Sequence, residues 1–312
     1  MRRFLVQRLA LLVLSVAGAV TIAFLVMRLI PGDAAQFILG DYATQESLAR
    51  LREQLGLTRP LHVQYLAFLG RALRGDFGSS LVTQRPAFDE VAAVFGHTMK
   101  LAAAGTLVSM AIGVPAGILA AVRRNRPLDY LTMVVALFGV SMPVFWLGLL
   151  LLLLFSFYLG WTPTVGVSLD GSWLSEIHHL VLPAVTLGLS IAAVVTRMTR
   201  STMLEVIRQD YIRTARAKGL ADTWVVAKHA LRNAALPILT IVGINFGIQL
   251  GGTVLVEAVY ARAGMGSLLI SAIYQRDYPQ VQATVVVFAT SFILVNLLVD
   301  AAYLLADPRI RT

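Results

Sequence analysis

Apolar positions along this chain do not alternate with polar ones as they would on half-buried strands, nor do they recur every three or four residues for long. They come in runs. Six segments, Leu9–Met27, Thr98–Val122, Tyr130–Leu159, Leu180–Val195, Leu236–Val256 and Ala283–Leu305, are almost continuously apolar. A helix needs roughly 20 such residues to cross a hydrocarbon layer about 30 Å thick. The pattern therefore predicts six transmembrane helices. The fourth reaches usable length only by taking in Thr196–Thr199, which puts Arg197 at the interface. Pro143 removes one helical donor inside the third and predicts a kink there. Between the first two spans lies a polar insertion, residues 31–97, with helical stretches at Gln45–Leu55, where Thr44 is a natural N-cap, and at Pro60–Leu73. It has few large apolar groups, so it is expected to lean on the membrane part or on a partner.

Composition sharpens this reading. The 312 residues are 57% hydrophobic and only 14% charged, with a mean hydropathy of +0.75. A soluble enzyme and a disordered chain are both excluded. There is no cysteine, hence no disulfide and no thiol chemistry. The net charge of +9 would suit nucleic acid if the cations were clustered on one face, but they flank the apolar runs. Sixteen Lys and Arg fall in the N-terminal end, in Arg123–Arg126, between Arg197 and Arg232, and at the C-terminal end. The insertion instead balances six against seven acidic residues, and residues 160–179 hold none. That asymmetry predicts a multi-pass protein of the cytoplasmic (inner) membrane with both termini in the cytoplasm. Trp161 and Trp173 fit an outer aromatic belt. The first apolar run is longer than the 7–15 residues of a cleavable signal peptide, and Asp33-Ala34-Ala35 is a poor cleavage site, so the first helix is expected to be retained.

Small residues recur at helix spacing: Gly243, Gly247 and Gly251 with Gly252 in the fifth span, Gly113 and Gly117 in the second, and Gly188 with Ala192 in the fourth. Such stripes allow close helix approach, whether within the chain, at a subunit interface or along a pore. Polar residues at membrane depth are few. Asn245 and Gln249 share one face of the fifth span, and Asn296 and Asp300 repeat that spacing in the sixth. Asn245, Gln249 and Asn296 are candidates for the translocation path; the amides could equally bond neighbouring helices. Glu257 and Asp300 sit towards span ends, which argues against a proton-coupled secondary carrier. His178-His179 lacks further ligands nearby, and no metal site is expected.

About forty residues separate the fourth and fifth spans, far more than a connector needs. Tyr211–Lys218 reads as a short helix ended by Gly219, a residue free to adopt the left-handed conformation that turns the chain. Asp222 reads as the cap of a second, amphipathic helix lying at the membrane edge before Pro237 opens the fifth span.

The run Asp210-Tyr211-Ile212-Arg213-Thr214-Ala215-Arg216-Ala217-Lys218-Gly219-Leu220 resembles the cytoplasmic loop motif of membrane permease subunits of binding-protein-dependent ABC importers, in the dipeptide, oligopeptide and nickel branch. Leu29-Ile30-Pro31-Gly32-Asp33, Arg59-Pro60-Leu61 with Gln64-Tyr65, Arg74-Gly75-Asp76-Phe77-Gly78, Ser141 to Gly148, Arg276-Asp277-Tyr278-Pro279 and Asp307-Pro308-Arg309 resemble the first permease of that branch as well. In the wider superfamily the loop motif starts with a glutamate and two alanines, where this chain has Arg213, Thr214 and Ala215; Gly219 is kept. The resemblance implies an all-α integral membrane protein of the type I ABC importer permease fold. Its parts would be an N-terminal transmembrane helix (1–30), an extracytoplasmic insertion (31–97), a five-helix transmembrane domain (98–305) with a cytoplasmic coupling loop (200–236), and a cytoplasmic tail (306–312). It implies coupling to an ATPase through Tyr211, Arg213, Thr214, Ala215, Arg216, Lys218, Gly219 and Leu220. The implied partners are two ATP-binding subunits, a second homologous permease and an extracytoplasmic solute-binding protein. No phosphate-cradling G-x-x-x-x-G-K-[ST] occurs, so the chain is expected to be no enzyme and to bind no cofactor, with ATP and Mg on the partners. Peptides are the expected cargo, with nickel or glutathione as alternatives.

Overall fold

The computed structural model describes residues 2–29, 34–40, 43–54, 56–168 and 172–306. The Ile30–Asp33 part of one family-like run, the Asp307-Pro308-Arg309 run, most of the 306–312 tail and the side chain of Asp300 lie outside what is described. Helices follow one another: α1 Arg2–Leu29, α2 Ala34–Leu39, α3 Gln45–Gln54, α4 Leu61–Ala72, α5 Ala87–Val122, α6 Pro127–Ser141 and α7 Val144–Leu151, the last continuing as π-helical turns over Leu152–Tyr158. Then come α8 Trp173–Ile207, α9 Asp210–Ala217, α10 Asp222–Trp224 with π-turns over Val225–Ala230, α11 Leu231–Val259, α12 Met265–Tyr274 and α13 Tyr278–Ala306. No strand occurs among the described residues. Four stretches, Ala87–Val122, Trp173–Ile207, Asp222–Val259 and Tyr278–Val299, are long and apolar enough to cross a membrane, and α6 with α7 forms a bent fifth. Helix α1 runs 28 residues, the length a sixth crossing needs.

Three boundaries differ from the apolar pattern. Residues 130–159 are not one kinked span but two helices meeting at 103°. Met142 is extended (ψ 126°) and Pro143 caps α7 (ψ 132°), because the proline ring disfavours helical backbone at the residue before it and offers no N–H of its own. Helix α8 is 35 residues long and carries His178, His179, Arg197 and Arg200, polar residues at which a hydropathy window stops although backbone hydrogen bonding does not. Pro237 lies inside α11 rather than at its start, and the stretch from Asp222 is continuous with the span; there is no separate helix before it. Asp222 is the first residue of α10, with Ala221 as the cap.

Contacts group the described residues into two compact units, Met1–Thr98 with Ala263–Leu294, and Met99–Arg262 with Val295–Thr312. The first contains the insertion. Thr44 Oγ1 accepts the Ser47 N–H at 3.2 Å, and Pro60 caps α4. The insertion then closes on α1 through a run of rings: Phe24 against Tyr65 (5.4 Å) and Phe68 (5.8 Å), Phe68 against Phe77, and Phe77 against Phe88 (both 6.4 Å). Asp277, 2% exposed, ties the turn after α4 to the start of α13. Its carboxylate accepts from Ser80 Oγ (2.5 Å), the Leu81 N–H (3.1 Å) and the Gln280 N–H (3.3 Å). The last of these is an N-cap bond to α13.

The second unit is assembled by small residues. A Cβ added at Gly113 would lie 2.8 Å from the Ala192 carbonyl oxygen, and one at Gly117 2.6 Å from that of Thr196. In the other direction Gly188 faces the Gly105 carbonyl at 2.8 Å and Val108 at 2.6 Å. Contact positions rise together on both helices, so α5 and α8 run parallel with backbones nearly touching. In lipid, where apolar burial gives helices no preference for each other, such contact is the available attraction. Helix α6 runs antiparallel to α8, and α7 turns away from it after the break while keeping a contact near its start. Gly139 meets Ala193, Gly148 meets Thr186, and the Tyr260 hydroxyl donates to the Gly148 carbonyl at 3.2 Å while sharing a 2.8 Å hydrogen bond with Thr186. Of the stripe on α11, Gly243 is pressed against Val299, a Cβ added at Gly252 would lie 3.1 Å from Leu187, and Gly251 faces open space.

Two outcomes follow. Gly117→Ala drives a methyl group into backbone, which cannot yield, and is expected to cost about 1–3 kcal/mol, whereas Gly251→Ala changes nothing; thermal unfolding of the detergent-solubilised chain compares them. Asp277→Ala orphans three donors and is expected to cost a similar ~1–3 kcal/mol, read as faster limited proteolysis in residues 76–86.

Candidate functional site

The α9 helix is short, eight residues, and is held by its neighbours rather than by its own length. Gln209 enters extended (ψ 147°). Asp210 places a carboxylate at the positive end of the helix dipole. Gly219 takes φ +79°, a left-handed turn that a Cβ would resist, and donates to the Arg216 carbonyl at 2.9 Å. Helix and glycine turn thus fall where the sequence places them.

Two faces separate cleanly. Ile212 (0% exposed) and Ala215 (8%) point inward, into one apolar cluster with Val195 and Met203 of α8, Ala121 at the end of α5, Val225 and Ala230 of the π-turns, and Ala234, Ile238 and Val242 of α11. Outward lie Tyr211, Arg213, Thr214, Arg216, Lys218 and Leu220. Trp224 continues this face with Lys228 5.0 Å above its ring. Some of the cations are partnered locally: Arg213 with Asp210 at 3.4 Å, and Arg216 with Asp222 at 2.8 Å across the glycine turn. The Asn233 amide donates to the Tyr211 hydroxyl at 2.9 Å, tying α9 to α11. Of the eight loop residues named from sequence, Ala215 alone belongs to the inner face; the others form the outer face and its turn.

One element of this region escaped the sequence. Asp129 in the first turn of α6 is 2% exposed and accepts both Arg200 Nε (2.6 Å) and Nη2 (2.7 Å), together with the Asn125 N–H at 3.0 Å. This two-pronged bond fastens α6 to α8 beside the α9 cluster. Both residues are ordinary in a single sequence; nothing in their separation of 71 positions announces the pair.

Within the membrane-spanning part, Gln249 is 2% exposed and its Oε1 is bonded to the Thr106 hydroxyl at 2.5 Å, so a residue of α5 joins it. Asn245 is half-buried and donates to its own helix at Ile241 O (2.8 Å). Asn296 is half-buried on α13. His178 contacts the Trp161 carbonyl at 2.7 Å and His179 the Ser175 carbonyl at 2.8 Å.

The comparisons agree with this geometry. Residues 113–312 match the family "Binding-protein-dependent transport system inner membrane component", and residues 1–102 match its N-terminal companion, "Binding-prot-dependent transport system membrane comp, N-term". The chain is similar to the glutathione transport system permease protein GsiC of Salmonella paratyphi A and of Salmonella typhimurium, 44% identical in each case, and of Escherichia coli (strain K12), 43% identical; each match covers 100% of this chain and 99% of the relative. Among solved structures it resembles two inward-facing crystal forms of the MetNI methionine ABC transporter. The TM-scores are 0.56 and 0.58 at 20% identity, covering 68% and 69% of this chain and 92% and 94% of those chains. Helices with no strand among the described residues, a broken third span, a glycine-ended helix packed against α8 and α11, and family matches along almost the whole length lead to one conclusion: the chain belongs to the multi-pass inner-membrane permease components of binding-protein-dependent ABC importers, in the peptide and nickel branch.

Proposed function

We propose that this permease carries small peptides, glutathione among them, inward across the cytoplasmic membrane, driven by separate ATP-binding subunits that grip the outer face of α9. Both termini and α9 lie on the cytoplasmic side, as the distribution of Lys and Arg predicts; the insertion faces outward, towards a solute-binding protein, and a second homologous permease completes the path. ATP and Mg belong to the partner subunits. The observation that carries the reading is the division of α9 into a buried half, continuous with the cores of α8 and α11, and an exposed half that presents Tyr211, Arg213 and Arg216 beside Trp224, residue types that protein interfaces favour. Cargo class rests on the full-length similarity to glutathione permeases; a tripeptide is a small member of the peptide class. Asn245, Gln249 and Asn296 are proposed to line or brace the route, with Gln249 and Thr106 as its polar junction between α5 and α11.

The mechanism is mechanical. Closure of the ATPases displaces α9; Ile212 and Ala215 transfer the displacement to Val195, Met203, Ile238 and Val242, and the Asp129–Arg200 bond carries it from α8 to α6. Proton or sodium coupling plays no part.

Arg216→Glu with Lys218→Glu is expected to lower ATP-dependent uptake of labelled glutathione in reconstituted vesicles by about tenfold or more, while membrane insertion and elution on size exclusion stay unchanged. Uptake that persists after ATP depletion but stops on collapse of the proton gradient would overturn the reading. Ile212→Ala, by contrast, removes buried contacts and is expected to cost about 2–4 kcal/mol, seen as a lower Tm of the chain before any partner is added.

A further inference from the structure

The insertion holds a cavity of about 320 Å³ that the transport mechanism above does not use. Phe24 and Phe68, stacked at 5.8 Å, form part of its wall. Glu53, Arg59, Arg71 and Gln282 line it as well. None of these four side chains has a hydrogen-bond or ion-pair partner among the described residues. Elsewhere in the insertion Glu46 and Arg50 pair directly. Opposite charges collected round one cavity and left unpaired are placed to receive a ligand bearing both signs. Gln64 adds an independent sign. Its Oε1 is buried in the wall of the cavity without a hydrogen-bond partner, and such a buried amide oxygen is costly unless something within the cavity satisfies it; Gln282, 9% exposed, lines the same cavity.

The surroundings are built to hold these groups. Gln64, Phe68 and Arg71 fall at i, i+4 and i+7 on one face of α4. Gln64 Nε2 donates to the carbonyls of Arg59 (2.6 Å) and Leu57 (3.2 Å), which fixes the turn that presents Arg59; Gly56 opens that turn at φ +68°.

We infer that this cavity is a binding site for a small zwitterionic peptide, its carboxylate held by Arg59 and Arg71, its ammonium by Glu53, and its amide by Gln282. A phosphate or dicarboxylate would meet Glu53, and a polyamine would meet the two guanidinium groups, so single-sign ligands are selected against. The volume lies at the small end of ligand pockets, which span about 300–1,000 Å³, and suits two or three residues. The site rests on the proposed cargo class for the choice of probe alone, and its test needs no ATPase.

The full chain in phosphatidylcholine nanodiscs is titrated calorimetrically with trialanine. Saturable binding is expected, roughly tenfold or more weaker for N-acetyl-trialanine amide. Arg71→Ala should weaken trialanine about tenfold yet leave its C-terminal amide unaffected, and Glu53→Gln should do the same for the free and N-acetylated forms; both residues are exposed, so folding is retained. Gln282→Met, with an unchanged Tm as control, should also weaken binding. Equal binding of blocked and free peptides, no saturation, or trialanine binding abolished by replacing the lipid with phosphatidylethanolamine, whose headgroup carries the same two charges, each overturns the peptide site. None of these outcomes bears on the α9 reading, which the uptake assay decides separately.

Discussion

Everything in the second unit depends on how closely α5 and α8 approach. Three glycines on α5 and one on α8 remove the side chains that would hold two helices apart, and the partner surface is backbone carbonyl as much as side chain. Lipid supplies no hydrophobic drive for this contact, so dispersion between tightly fitted surfaces has to supply it. The result is a stiff pair. Helix α8 is then the natural spine: Thr186 takes up α7, Ala193 and Arg200 take up α6, and Val195 with Met203 take up α9 and α11. A displacement imposed on Ile212 meets no loose layer before it reaches the helix wedged against α5. Close-packed interiors transmit strain because they have no voids in which to absorb it.

The break at Met142–Pro143 sets the contrasting property. Helices α6 and α7 are held on both sides of the break, by Asp129–Arg200 and Gly139 against Ala193 before it and by Gly148 against Thr186 and Tyr260 after it. Between these contacts the chain turns through 103° and leaves an apolar cavity of about 480 Å³ beside Phe138, Gly139, Ala192 and Ala193. The change of direction falls at Met142–Pro143, where the run of helical hydrogen bonds is already interrupted. The second unit thus joins a closely packed pair, α5 with α8, to a broken helix held on both sides of its break.

Local chemistry was legible in the sequence and long-range pairing was not. The Thr44 cap, the Pro60 start and the Gly219 turn depend on residues within a few positions of one another, and the structure has all three. The six apolar runs located the spans, but their ends moved wherever polar residues continued a helix, as at His178 and Arg200 in α8. Pro143 announced an irregularity without its size, since the proline constraint is local whereas the angle is set by what the two halves pack against. Pro237 misled in the opposite direction, because a helix that is already formed on both sides tolerates one lost donor. Asp129 with Arg200 and Ser80 with Asp277 lie 71 and 197 positions apart, and only folding brings them together. The unpaired charges round the insertion cavity were invisible for the same reason.

The outer face of α9 invites an electrostatic account, yet its charges are partly answered within the loop. Asp210 sits against Arg213 and Asp222 against Arg216, and exposed pairs of this kind contribute little to stability. The same face also exposes apolar and aromatic surface: Tyr211, 42% exposed, Leu220, 40%, and Trp224, 53%. Burial of such groups in a partner's cleft gives the larger share of affinity, while the cations act on approach and orientation. Arg216 is already engaged: its bond to Asp222 spans the Gly219 turn, so part of its charge is answered within the loop, whereas Lys218 on the same face is free to meet an opposite charge.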